Sequence, residues 1–221
     1  MRFETPLPDL EPSRDCPRCP RLVAFRAACR ADYPDWWNAP VPAFGDHDAW
    51  LGIIGLAPGK HGANRTGRPF TGDYAGDLLF ATLARFGLAD GRYAAHADDG
   101  FRLKGAIILN AVKCLPPENK PLPEEMRACR PFLERQVAAL PRLRVFIALG
   151  QIAHQSVLRA HGLKPGGFRF GHGARHDLTG GRTLFDSYHC SRYNTNTGRL
   201  TAAMFEAVFA AACQMSSTSR A

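Results

Sequence analysis

An α/β fold is predicted for this chain: a three-layer αβα sandwich around a central, mainly parallel sheet of four strands. Two observations carry that prediction. Short apolar runs bounded by turn residues alternate with longer segments of helical spacing, an order that buries a parallel sheet on both faces. And 221 residues, 45% of them hydrophobic, suffice for one sizeable core but are few for two.

The elements follow in order. The first fifteen residues are Pro-rich and aperiodic and read as an extended arm, with a short helix at 23–31. The stretch 33–48, holding four aromatics and three prolines, reads as an ordered loop. Residues 49–56 (AWLGIIGL) form a buried strand running into Ala-Pro-Gly. A helix spans 74–86 and stops at Gly87, and a second strand spans 105–112. Pro123, Glu124 and Glu125 open a helix over 123–140, since Pro suits the first turn and acids suit its dipole. A third strand (145–149), a helix (151–161), a fourth strand (183–188) and an alanine-rich helix (200–214) complete the series. The chain therefore reads as one domain over 1–221, with an N-terminal arm to about residue 48 and a disordered tail from about residue 215.

Composition narrows the function. The excess of 28 Lys+Arg over 20 Asp+Glu gives a formal charge of +8, as expected of a partner for nucleic acid. No apolar run reaches the ~18 residues of a membrane span, and the N-terminus shows no apolar signal region. A cytoplasmic protein with no membrane partner is expected. Seven cysteines in that setting are ligands or reduced thiols rather than disulfides.

In a parallel sheet the ligand crevice lies beyond the carboxyl ends of the strands, and the unusual segments fall there. Residues 55–73, GLAPGKHGANRTGRPFTGD, carry Gly at 55, 59, 62, 67 and 72. A phosphate-binding P-loop fails here, because Ile54 stands at its first glycine and His61 follows Lys60. Residues 189–201, HCSRYNTNTGRLT, place a His at a strand end, followed by hydrogen-bonding side chains suited to phosphate and base contacts. Cys16 and Cys19 form a CxxC pair, and Cys114 and Cys129 a second pair after the second strand. Four thiolates suit zinc or an iron–sulfur cluster, and spacing alone leaves both open. Cys29 and Cys213 read as ordinary thiols on helices.

Together the three segments resemble the uracil-DNA glycosylase superfamily, and within it most closely family 5, the type b enzymes. The glycine-rich segment is similar to the family's first motif and HCSRYNTNTGRLTAAM to its second. LNAVKCLPP with Cys129, Cys16 and Cys19 is similar to the four-cysteine pattern of families 4 and 5. The resemblance implies the fold of that superfamily, excision of uracil and other deaminated bases from double-stranded DNA by a monofunctional hydrolase, and a [4Fe-4S] cluster in preference to zinc. One departure stands out, Cys190 in place of the usual proline; family 5 itself differs from some other branches in the first motif, where Ala57-Pro58-Gly59 offers no side chain to activate water and those branches have Asp or Asn.

The resemblance also implies roles. Phe70 stacks the flipped base, Asn110 reads its polar edge, and His189 stabilises the uracil anion. Asp73 is expected to position water, or else only to cap the helix that follows it. Gly55, Ala57 and Gly59 line the base site. Arg65, Ser191, Arg192, Tyr193, Asn194 and Arg199 face DNA, and Arg192 and Tyr193 are candidates to fill the gap left by the base. A monomer is expected. An iron–sulfur electron carrier is a poor rival, since its cysteines would cluster in sequence. A non-catalytic DNA-binding module would leave Phe70, Asn110 and His189 at strand ends unexplained.

Overall fold

In the computed structural model of the protein, residues 7–218 are described. The helices are α1 (Pro20–Asp32), α2 (Ala63–Thr66), α3 (Tyr74–Arg85), α4 (Pro123–Ala138), α5 (Gln151–Ala160), α6 (Arg192–Asn196) and α7 (Ala202–Thr218). The strands are β1 (Phe44–Gly45), β2 (Leu51–Gly55), β3 (Ala89–Asp90), β4 (Arg102–Leu103), β5 (Ala106–Asn110), β6 (Val145–Leu149), β7 (Arg175–Leu178) and β8 (Arg182–Ser187).

The main sheet has the order β1-β5-β2-β6-β8-β7. Its four inner strands are parallel, and the two outer ones are antiparallel to their neighbours. It is therefore six-stranded, not four-stranded as predicted. Both added strands are edges, which need pairing on one side only and so lack a long apolar run. β1 lies in what the sequence gives as a loop, and β7 reads Arg-His-Asp-Leu. The final helix also continues to Thr218, past the predicted start of a disordered tail, because the alanine-rich stretch keeps propagating. The rest of that tail, residues 219–221, lies outside the described residues, as do residues 1–6 of the arm.

Alternation along the inner strands makes the layers. Ile53, Ile108, Ile147 and Phe185 pack with Leu79, Phe80 and Leu83 of α3 and Phe205 and Phe209 of α7. Ile54, Ile107, Phe146 and Leu184 meet Leu133 and Val137 of α4 and Ala153 and Val157 of α5 on the opposite face. From β2 the chain crosses through α3 to β5 on one side, then through α4 to β6 on the other. That reversal opens a crevice at the carboxyl ends of β2 and β5. Among the described residues no helix is long and apolar enough to cross a membrane.

One buried ion pair fastens the glycine-rich segment to this frame. Arg68 and Asp99 are fully buried and meet through two bonds of 2.7 Å. The guanidinium also lies 5.0 Å from the ring centre of Phe44, and its Nε donates to Thr71. Burial alone would raise the Asp99 carboxyl, but the Arg68 fork and the N–H groups of Ala94 and Phe101 outweigh it and bring it to about 2. Because the folded value lies below the unfolded one, this carboxylate stabilises the fold fully above about pH 4 and loses its contribution as pH falls through 2. Removing one partner strands the other charge, so Asp99→Ala should cost about 3–5 kcal/mol. Urea unfolding at pH 7 measures that loss, and the difference between variant and parent should shrink toward pH 2.

Candidate active site

The crevice holds a cavity of about 350 Å³, whose lining includes Ala57, Gly59, Phe70, Asp73, Asn110 and His189. The β2–β5 register sets its back wall by pairing Gly55 with Asn110. A Cβ on residue 55 would lie 2.5 Å from Asn110 Oδ1 and 3.1 Å from the Phe70 ring, so the glycine leaves room for both side chains. Asn110 is 4% exposed, and its Oδ1 is buried with no hydrogen-bond partner. An unpaired buried acceptor costs free energy unless a ligand meets it.

Phe70 is buried and holds a left-handed backbone, φ 55°. Such a conformation is uncommon for an aromatic residue and must be enforced by its surroundings. The Phe70 carbonyl fills the space that a side chain on Gly76 would need, and the Tyr93 hydroxyl donates to the same carbonyl at 3.4 Å. The Phe70 and His189 rings are nearly parallel, with centres 6.0 Å apart.

His189 lies two residues past the end of β8, and its backbone carbonyl accepts from Asn194 Nδ2 at 2.8 Å. Burial lowers its imidazole to about 4, so the ring is neutral at physiological pH and carries one N–H to donate. Cys190 is fully buried, and its thiol donates to the Ala75 carbonyl at 3.4 Å. Burial pushes that thiol far up, with the Asp73 charge adding to the effect. The residue in proline's place is thus a neutral packing group rather than a reactive one.

Asp73 does two things at once. It is the N-cap of α3, accepting from Gly76 N–H at 3.1 Å, and it also lines the cavity. Burial raises its carboxyl against the lowering effect of the Gly76 and Ala75 N–H groups. Gly59 and Gly62 make room for the carboxylate. Asp77, one turn on, is exposed, as expected. Asn119, which sequence reasoning did not single out, also lines the cavity, from a turn with left-handed backbone at 118 and 119. Two adjacent non-glycine residues of that kind have no sequence signature beyond the Glu-Asn pair itself.

The residues expected to face DNA divide. Ser191 lines the cavity and caps α6. Tyr193 is 71% exposed at the tip, and Arg192 lies over the Tyr74 ring, 5.2 Å from its centre. Arg199 is exposed and lies over Tyr188. Asn194, by contrast, turns its amide inward to His189. Arg65 is exposed but does not line the cavity; its segment is tied to the arm through Trp37 N–H and the buried Asn64–Asn38 amide pair.

Cys16, Cys19, Cys114 and Cys129 line one small cavity between the arm, the segment after β5 and α4. Leu22, Val112 and Phe132 close it. Arg26 reaches Cys114 Sγ at 3.7 Å, and Lys113 N–H donates to Cys129 Sγ at 3.3 Å. Burial, with the neighbouring thiol next, pushes Cys114 up to about 12, and burial pushes Cys129 up to about 11. Cys29 is a buried helix thiol and Cys213 packs on the core, as anticipated.

The tightest fit beside the crevice cavity gives a direct test of its construction. Gly76→Ala drives a methyl into the Phe70 carbonyl, and backbone cannot yield cheaply, so a loss above about 2 kcal/mol is expected in urea unfolding. Leu79→Val, on the same helix but in ordinary packing, should cost about 1 kcal/mol.

Residues 42–213 match the Uracil DNA glycosylase superfamily. A type-5 uracil-DNA glycosylase of Thermus thermophilus is 48% identical over 197 residues, covering 86% of this chain and 89% of that protein. A second, from Pyrobaculum aerophilum, is 42% identical over 191 residues, covering 85% and 83%. A type-4 uracil-DNA glycosylase of the same organism is 35% identical over 150 residues, covering 67% and 62%. With its glycine-backed cavity at the sheet's switch point and this extent of likeness, the chain belongs to the uracil-DNA glycosylase superfamily, on its type-5 branch.

Proposed function

We propose that the chain flips uracil out of double-stranded DNA and hydrolyses the bond between base and sugar, as a step in base excision repair. The observation that carries this reading is the unpartnered Asn110 Oδ1, buried beside Phe70 in a cavity of base size. An amide offers a donor and an acceptor side by side, which matches the N3–H and O4 edge of uracil. Phe70 supplies a flat apolar face, worth about 1–3 kcal/mol in stacking. Extrusion costs a few kcal/mol, less at a mismatch, and Tyr193 and Arg192 are the proposed occupants of the vacated stack.

As the glycosidic bond stretches, negative charge grows on uracil O2. The neutral His189 N–H is the proposed donor to it, in a site largely closed to water. Positive charge grows on the sugar, and Asp73 is the proposed anion that stabilises it and holds the attacking water. Its capping bond to Gly76 fixes the carboxylate rather than competing with that role. Asn119 is a second candidate to hold the water. The cavity is roomier than a pyrimidine needs, which supports acceptance of hypoxanthine, xanthine or ethenocytosine as well. We read the chain as one domain acting as a cytoplasmic monomer.

The four cysteines are proposed to hold a [4Fe-4S] cluster. A single tetrahedral zinc with Zn–S of about 2.3 Å would gather its sulfurs to within about 4 Å. No three of these sulfurs come within 4.8 Å of one another among the described residues, a spacing that favours a cluster with one iron per thiolate. Thiols held so high by burial need such a cation to ionise. When bound, the group supplies a cross-link between the arm and α4; the residues that touch the base do the chemistry.

Incubation with a uracil-containing duplex, followed by alkali, should give strand breaks at uracil. Asp73→Ala should slow single-turnover cleavage at least tenfold, whereas unchanged cleavage would reduce Asp73 to a cap. Cys16→Ser should lose iron and visible absorbance, melt earlier and bind duplex DNA more weakly. A stable, iron-free protein of full affinity would refute the bracing role.

A further inference from the structure

On the α5 side of the sheet, at the edge formed by β8 and β7, His154 of α5, His176 of β7 and Asp186 of β8 converge. Their ligand atoms lie within 4.8 Å of one another. Asp186 is fully buried, His154 is 1% exposed and His176 is 11% exposed. His154 Nδ1 faces Asp186 Oδ1 at 2.7 Å, and His176 Nε2 faces Asp186 Oδ2 at 2.9 Å.

The far side of His154 makes this arrangement informative. Its Nε2 faces the Phe168 carbonyl oxygen at 3.1 Å, an acceptor only. A neutral imidazole has one proton, and on Nε2 that proton would meet the carbonyl. Nδ1 would then point a lone pair at a carboxylate oxygen. A second proton on Nδ1 satisfies that contact as it stands, and a metal ion ligated by both atoms would hold them about 3.3 Å apart, a small opening of the pair. A His that ligates metal through one nitrogen and donates its other N–H to a backbone carbonyl is the usual arrangement at metal sites. Here the His176 nitrogen joins from a third element, so that two imidazole nitrogens and one carboxylate face one another within 4.8 Å.

We propose that His154 Nδ1, His176 Nε2 and Asp186 form a divalent transition-metal site, separate from the cysteine corner. Two imidazoles and one carboxylate suit Zn²⁺ and its neighbours rather than Mg²⁺ or Ca²⁺, which prefer all-oxygen shells. A cavity of about 380 Å³, lined by His154 with Gln151, Gln155 and Arg169, adjoins the cluster on its α5 side. The rings of Phe168 and Phe170 pack edge-on against the two imidazoles. The site would tie α5, both strands at that sheet edge and the 168–171 turn, whose Gly171 N–H also bonds Asp186. It stands independently of the proposed excision of uracil.

The test uses the full chain with its cysteine corner loaded with iron, titrated with Zn²⁺ alone. One equivalent of zinc should bind with a Kd in the micromolar range or tighter. At a hundredfold excess over Kd it should raise Tm by about 5 °C or more. His176→Ala, at the least buried position of the three, should lose both effects. X-ray absorption at the zinc edge of the parent protein should show nitrogen and oxygen neighbours and no sulfur. Sulfur neighbours, undiminished binding by His176→Ala, or no zinc uptake would overturn the proposal; the last would assign the positive charge to a proton on His154.

Discussion

Two positions at which no side chain can stand decide where the base cavity lies. At Gly55 the missing Cβ admits the Asn110 amide and the edge of Phe70. At Gly76 it admits the Phe70 carbonyl, which holds that residue in a backbone conformation it would otherwise avoid. One glycine ends a strand and the other opens a helix, so sheet and helix are locked together through a single aromatic residue. Strain at Phe70 is sustained because Arg68, Tyr93 and Gly76 over-determine the segment from both sides.

Electrostatics then divides the work inside the cavity. Desolvation acts on His189 and Asp73 in the same direction, against charge, but with different results. The imidazole has no counter-charge and stays a neutral donor. The carboxylate is raised by burial yet receives backbone N–H groups at the head of α3, which favour its anion. A neutral donor and a carboxylate raised by burial but met by backbone N–H groups thus share one cavity, the pair that the proposed reaction, with its departing anion and sugar cation, would use.

The parallel core was legible because its signals are local: apolar runs of strand length, helical spacing, and Pro or Gly at boundaries. That Phe70, Asp73, Asn110 and His189 share one cavity was legible for a topological reason: Asn110 ends β5, His189 lies just past β8, and Phe70 and Asp73 belong to the connection from β2 to α3 at the same edge of the sheet, and the motif resemblance marked the same residues. The two edge strands were not legible, because their pairing is a backbone matter that leaves little trace in side chains. Asn119 was missed because a turn with two left-handed residues has no compositional signature when neither is glycine. The inward turn of Asn194 was missed because polarity on a loop tells nothing of which neighbour an amide will choose. The His154–His176–Asp186 cluster draws one residue from each of three elements, and no spacing along the chain announces it.

The span from Cys114 to Cys129 leaves the cysteine corner, passes Asn119 at the rim of the base cavity and returns along α4 to the same corner. Its two ends face one small cavity, so whatever bridges these sulfurs turns the span into a closed ring. Ring closure removes conformational freedom from everything inside it, at a cost that grows only slowly with length. A cluster held there, as proposed, would set the stiffness of one wall of the base cavity from behind, through chain connectivity alone.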